Sequence, residues 1–435
     1  MAHSDARAAP LPARLVVAVF LPFAAGYFLS YFFRNVTAVI AKDLAREFAL
    51  SPADLGLLTS AYFLAFGLAQ IPVGVVLDRY GPRRVVATLL CITALGAFAF
   101  GAADGFGTLV LGRTLIGLGV SACLMGAIKA FTLWFRLSRL ATISGWYIFV
   151  GAVGGLAATA PVEAALGVIG WRVMFYGLAG ACVAVAALIT LCVPEKPLPG
   201  AGTTWAEQFR GVGQIVRRPL FWRIVLPFVI THAAYQALQG LWLGPWLTDV
   251  AGFARESAAK LLLVCASAYA IGSVAFGTFA DRLAARGYSR LALYKGGLLV
   301  SFAAFVAIAL DAAVPRAALL ATYGFSVMSG ALVFALITPH FPAGMSGRVI
   351  TALNFGMFSA SFAFQWGIGV VLRAFPVADG RYAPDGYGAA LLGIAVLQAA
   401  VLAWVLPFRD PAERPVGRTG RDEPQRAPLG PQKKS

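Results

Sequence analysis

Charge is scarce in this sequence. Of its 435 residues, 60% are hydrophobic and only 12% are Asp, Glu, Lys or Arg, against roughly a quarter charged in soluble domains. That leaves too little polar surface to coat a water-soluble globule. Acidic residues are the rarer kind, 19 against 35 basic ones, and none falls well inside an apolar segment. Glu163, near the outer end of the fifth segment, comes closest. There are five cysteines, Cys91, Cys123, Cys182, Cys192 and Cys265, and three histidines. All five cysteines lie in apolar stretches without metal-ligand spacing, which argues against a disulfide framework or a zinc site. No glycine-rich phosphate loop is present, which argues against direct drive by ATP. No nucleophile–base constellation or metal cluster occurs on the helices, so the chain reads as neither an enzyme nor a cofactor protein.

What is abundant is apolar sequence in bilayer-length runs. Twelve segments of about 20 residues or more are expected, at 15–40, 55–77, 85–104, 108–134, 140–166, 171–193, 221–248, 258–280, 290–311, 315–338, 348–372 and 386–407. The first is too long for a signal-peptide core and lacks a cleavage site, so it reads as a retained helix. The expected class is therefore an all-α membrane protein. Its organisation reads as a cytoplasmic tail (1–14), a six-helix bundle (15–193), a cytoplasmic linker (194–220), a second six-helix bundle (221–407) and a disordered basic tail (408–435). In the linker, "TTWAEQFRGVGQIVRRP" carries apolar residues at helical spacing, as a surface helix would.

With both ends cytoplasmic, 24 of the 35 Lys and Arg fall on the inner side, 9 on the outer and 2 within the helices, Arg34 and Lys129. This asymmetry orients the chain and suits a bacterial inner membrane. The basic residues are spread over every inner loop, which disfavours nucleic acid as a partner. The expected partners are the lipid bilayer and a small-molecule substrate, with the chain acting as a monomer.

A short charged stretch interrupts the apolar runs. Gly74-Val-Val-Leu-Asp78-Arg79 follows the second segment, and Gly277-Thr-Phe-Ala-Asp281-Arg282 repeats it 203 residues later, after the second segment of the other half. A repeat of the same hand is the mark of parallel-related transporter halves. The stretch resembles the G-x-x-x-D-R-x-G-R-R/K loop of the major facilitator superfamily of secondary transporters, matched by Gly74, Asp78, Arg79, Gly81, Arg83 and Arg84 with Pro82 inserted before the basic pair. "RTLIGLG" (Arg113, Gly117, Gly119) is similar to the family's fourth-helix motif. "GAVGG" (Gly151 to Gly155) only partly matches its antiporter signature, because Ala152 stands in place of proline. The resemblance covers residues 15 to 407. It implies twelve transmembrane helices in two pseudo-symmetric six-helix bundles and alternating access about a midplane site. The loop residues, with Asp281 and Arg282, then serve as gates: an aspartate latched to an arginine across a helix interface breaks when the bundles rock.

Cargo must be read from polar groups that lipid would not tolerate. A charged side chain at mid-helix costs on the order of 3 kcal/mol. Tyr27, Tyr31, Arg34 and Asn35 share one face of the first helix. His232, Tyr235, Gln236 and Gln239 form a similar face on the seventh, followed by Trp242. Asn354, Ser361 and Gln365 align on the eleventh, and Lys129 on the fourth with Ser121, Met125 and Thr132. Arg34 and Lys129 are read as attracting an anion, with amides and phenols hydrogen-bonding it. "YFLSYFFRN" is similar to the first helix of organophosphate/phosphate antiporters, but the seventh helix has no arginine, which favours a monoanion such as a small carboxylate. His232, Glu163 and Arg113 are the candidates for proton coupling. The expected function is secondary active transport of a small anionic organic solute. The alternative is a drug or metabolite exporter of the same fold with broad apolar specificity.

Overall fold

The computed structural model describes residues 14, 16–135, 137–195, 205–286, 288–342, 345–378 and 381–409. Most of the expected N-terminal tail, the first part of the linker and all but the start of the C-terminal tail lie outside the described residues.

Fourteen helices account for nearly all of it. In chain order they are α1 (Val17–Asn35), α2 (Thr37–Glu47), α3 (Pro52–Tyr80), α4 (Pro82–Gly101), α5 (Phe106–Trp134), α6 (Leu137–Ala157) and α7 (Ala160–Cys192). After the linker come α8 (Trp205–Val216), α9 (Pro219–Asp249), α10 (Arg255–Ala285), α11 (Arg290–Ala309), α12 (Arg316–His340), α13 (Ser346–Leu372) and α14 (Pro384–Val405). Two-residue strands, β1 (Val377–Ala378) and β2 (Arg381–Tyr382), pair just before α14. Among the described residues eleven helices are long and apolar enough to cross a bilayer, and the twelfth expected crossing, α6, has a shorter apolar part, Ile143–Ala157.

Boundaries differ from the sequence expectation where the backbone breaks locally. The fifth segment was expected to run to 166 but ends at Ala157, and residues 160–166 instead open α7, which kinks at Gly170 (φ 68°). The first segment breaks near Val36 and continues as α2. A capping box starts α3: Ser51 Oγ accepts from the Asp54 amide (3.2 Å), and Asp54 Oδ2 accepts from the Ser51 amide (3.1 Å). At the other end of α3, Gly81 has φ 81°, a conformation that favours glycine, and Pro82 then opens α4 with a φ already suited to a helix.

Helices α1 to α7 pack as one group, with α4 against α5 and α7, α3 against α5, and α1 against α6. Helices α9 to α14 form the second group, with α10 and α11 against α12, and α9 against α13. The groups meet chiefly along α3 and α13, which run antiparallel, and also where α6 approaches α10. The amphipathic α8 of the linker lies against α3 and α13. Leu95, Ile271 and Val396 are exposed on the outside, an apolar coat suited to lipid. The end carrying Gly74–Arg84 is called the motif face below, and the opposite end the far face.

Candidate functional site

Arg34 sits in the last turn of α1, where the two groups of helices meet. Its guanidinium carbon lies 4.5 Å from the centroid of the Tyr31 ring, 5.4 Å from that of Phe66 on α3 and 5.3 Å from that of Phe358 on α13. Phe66 and Phe358 touch each other across the groups at 4.2 Å between centroids. Only 8% of the arginine is exposed, its Nε has no hydrogen-bond partner, and among the described residues no carboxylate pairs with it. The surrounding rings hold the cation by their negative faces, yet leave its Nε without a partner.

The other α1 candidates line the same region. Tyr27 Oη donates to Tyr31 Oη (3.4 Å), and the Tyr27 ring stacks on Tyr147 of α6 at 4.5 Å. Asn35 Nδ2 donates back to the Tyr31 carbonyl (3.1 Å), so its amide serves its own helix. From the second group, His232 Nε2 shares a 3.0 Å hydrogen bond with the Tyr269 hydroxyl of α10, and Tyr235 stacks on Tyr269 at 4.6 Å.

Among the described residues four glutamines keep an unpartnered amide atom in the interior: Gln236 Nε2, Gln239 Oε1 and Gln365 Oε1 on α9 and α13, and both amide atoms of Gln398 on α14. Buried polar atoms are ordinarily satisfied. A Cβ at Gly240 would stand 3.6 Å from Gln365 Oε1 and 3.7 Å from the Arg34 carbonyl, so α9, α13 and α1 converge there. Trp242 is fully buried and donates to the Gln365 carbonyl (2.8 Å), so it braces α9 against α13 and has no donor left for a ligand. Asn354 is half-buried on α13, one turn from Phe358.

Lys129 needs correction as a ligand for the anion. Its Nζ reaches the motif face, where it pairs with Asp78 Oδ1 at 2.5 Å and donates to the Leu77 carbonyl at 2.9 Å. A four-carbon stem lets the ammonium snorkel out of the apolar interior, and its charge is met by a partner of its own group. Arg113 needs the opposite correction. Left out of the two cations placed within the helices, it is 1% exposed, lies 5.2 Å from the Tyr62 ring centroid and donates from Nη1 to the Phe33 carbonyl at 2.9 Å. Its position near the start of α5 disguised a depth of roughly 10 Å at 1.5 Å per residue.

Glu163 does not join His232 either. It stands at the far face, where Arg255 Nε meets its Oε1 at 2.7 Å. The same guanidinium grips Asp43 with two donors, at 2.9 and 2.6 Å. Beside it, Lys42 pairs with Asp249 at 2.5 Å, and Asp249, its side chain fully buried, also accepts from the Tyr382 amide at 3.2 Å. Burial, together with the Asp249 carboxylate, pushes the Tyr382 phenol up to about 12. All three pairs link the first group to the second. The gating residues expected on the motif face behave differently: Asp78 meets Lys129, while Arg83 and Arg84 share Glu195, pairs confined to the first group. Of the second copy, Arg282 is exposed at the end of α10, and the Asp281 side chain lies outside the described residues.

Comparison with known proteins agrees with this architecture. Residues 23–365 match the family model of the Major Facilitator Superfamily, and the chain belongs to that family. It is a transporter and an integral membrane protein, not an enzyme. Relatives include a probable sulfoacetate transporter, SauU, of Cupriavidus necator, 23% identical over 411 residues (89% of this chain, 94% of that one). A probable L-galactonate transporter of Escherichia coli is 26% identical over 360 residues (77% and 78%). Among solved structures, a bacterial homologue of the human lysosomal transporter Spinster has a similar fold, with a TM-score of 0.67 at 19% identity over 92% of this chain and 96% of that one.

Proposed function

We propose that the chain is a secondary transporter for a small organic anion, which binds Arg34 between the two bundles and is moved by alternating access. The observation that carries this reading is a buried guanidinium that no described carboxylate neutralises. A cation at membrane depth is costly unless something offsets it, and a visiting carboxylate or sulfonate does so with charge-assisted hydrogen bonds. Gln236, Gln239 and Gln365 supply unspent amide groups for the rest of the solute, and Tyr31, Phe66 and Phe358 enclose it. The names of the relatives, sulfoacetate and L-galactonate transporters, support an anionic cargo.

Lys129 has no part in this site, and the far-face pairs of Arg255 and Lys42 act as the gate that holds the bundles together on that side. His232, buried in the second bundle and hydrogen-bonded to Tyr269, is the titratable group proposed to couple a proton. Both termini lie in the cytoplasm and the membrane is the bacterial inner membrane, so the motif face is the inner one.

The reading is tested by thermal stability of the purified protein with sulfoacetate, galactonate, hexuronates, neutral sugars and apolar drugs, since a ligand that binds only the folded state raises the melting temperature. Stabilisation by anions and not by neutral sugars is expected. Stabilisation by apolar drugs alone, equal in wild type and Arg34→Gln, would instead establish the broad exporter.

A further inference from the structure

Three arginines of the motif stretch share one pocket with residues of the first group and the start of the linker. Arg79, at the end of α3, and Arg83 and Arg84, in the first turn of α4, line a half-open cavity of about 550 Å³ bounded by Trp134 of α5 and Pro194 beyond α7. That volume falls in the roughly 300–1,000 Å³ range of small-molecule sites. Its charge is lopsided. Glu195, also in the wall, meets Arg84 at 2.5 Å and Arg83 at 3.8 Å, so one carboxylate is divided between two guanidinium groups. Arg83 spends another donor on the Thr190 carbonyl. Among the described residues Arg79 has no carboxylate partner; its guanidinium carbon lies 5.4 Å from the Tyr80 ring centroid. Among the described lining residues, three cations and one anion leave a net +2.

We propose that this cavity binds an anionic phosphate group, with Arg79 and Arg84 as its main ligands and Glu195 as the internal competitor they release. Guanidinium forks match phosphate oxygens in pairs. The setting identifies the most accessible source. The cavity lies at the ends of four membrane helices, and Tyr80 and Trp134 are residues favoured at headgroup depth. An anionic phospholipid presents its phosphate at that level, where each basic residue near the surface contributes to attraction. A soluble phosphate ester arriving from the motif-face side carries the same chemistry. The site is separate from the Arg34 region and stands whether or not the cargo is an anion.

Native mass spectrometry of the full-length protein in detergent, titrated with phosphatidylglycerol or phosphatidylcholine, tests the proposal. Phosphatidylglycerol is expected to bind more tightly than phosphatidylcholine. In Arg79→Gln/Arg84→Gln that preference should fall by about fivefold per arginine, roughly 25-fold in all, and Arg79→Lys/Arg84→Lys should keep most of it. Glu195→Gln should tighten binding, a gain that misfolding does not imitate. A parallel arm measures melting temperature in lipid-free detergent with inorganic phosphate and glycerol 3-phosphate. Stabilisation there, with the same pattern across the variants, assigns the site to soluble esters; its absence, with phosphatidylglycerol retained, assigns it to lipid. Equal binding of both lipids with no response to either phosphate overturns the proposal, and so does an order of affinities unchanged by the arginine and Glu195 substitutions.

Discussion

Arg34 and Lys129 both interrupt apolar helices, and the difference between them lies in what their side chains reach. Lys129 is near enough to the motif face for its ammonium to find Asp78 and a backbone carbonyl. Arg34 is held by three rings and keeps an unpartnered Nε. Lys129→Gln is therefore expected to leave the dissociation constant of a stabilising anion within about twofold, measured by titration calorimetry, because additivity holds for sites that share no partners. The same substitution is expected to destabilise the protein by about 1 kcal/mol or less, since the pair is partly exposed. A tenfold loss of affinity would return Lys129 to the site. The i, i+4, i+7 spacing on the first helix made Tyr27, Tyr31 and Arg34 legible in the sequence as one face. Phe66, Tyr147, Tyr269 and Phe358 were not legible, since their part depends on which helices become neighbours. Arg113, read as a motif residue and coupling candidate, was left out of the two cations placed within the helices, because the sequence marks a segment's start and not the depth of its neighbours.

At the level of elements, the partial antiporter motif on α6 has a packing role. A Cβ at Gly154 would come within 2.9 Å of Phe28 Cα on α1, too close for any real contact. Gly154→Ala must push α6 from α1 and disturb the stack of Tyr27 on Tyr147. Overpacking of this kind costs typically 1–3 kcal/mol. A melting temperature several degrees lower in differential scanning fluorimetry is expected, while Gly145→Ala on the same helix, where a Cβ meets nothing within 4 Å, should leave it unchanged. Equal melting temperatures would refute the close approach. Helix number and order were readable from hydropathy because bilayer thickness sets helix length. The break after Ala157 and the kink at Gly170 were not, since uniformly apolar sequence hides a change in backbone direction.

At the level of the whole molecule, charge divides the two ends. At the far face Arg255 joins Asp43 and Glu163 across the bundles, and Lys42 joins Asp249. A state held shut there opens only if these pairs part, and each is worth little once solvated. Arg255→Gln is thus expected to lengthen the far-face distance between spin labels at Asp104 and Ala313, read by double electron–electron resonance in a variant with the five native cysteines replaced. A distribution identical to that of the unsubstituted protein would show that the pairs are incidental. The sequence placed Lys42, Asp43, Asp249 and Arg255 in loops near the expected membrane edge and Glu163 near the outer end of the fifth segment. It did not reveal that they cross the bundle interface, because that depends on how the bundles are docked.

The account rests on the uncompensated charge of Arg34. Its most direct test is uptake by protein reconstituted in lipid vesicles, with the anion that gives the largest thermal stabilisation, comparing wild type and Arg34→Gln at equal incorporation. Removing one partner of a buried charge pair costs at least about 2 kcal/mol, so a fall in uptake efficiency of about 30-fold or more is expected. Uptake undiminished in Arg34→Gln would contradict an anion carried at that guanidinium.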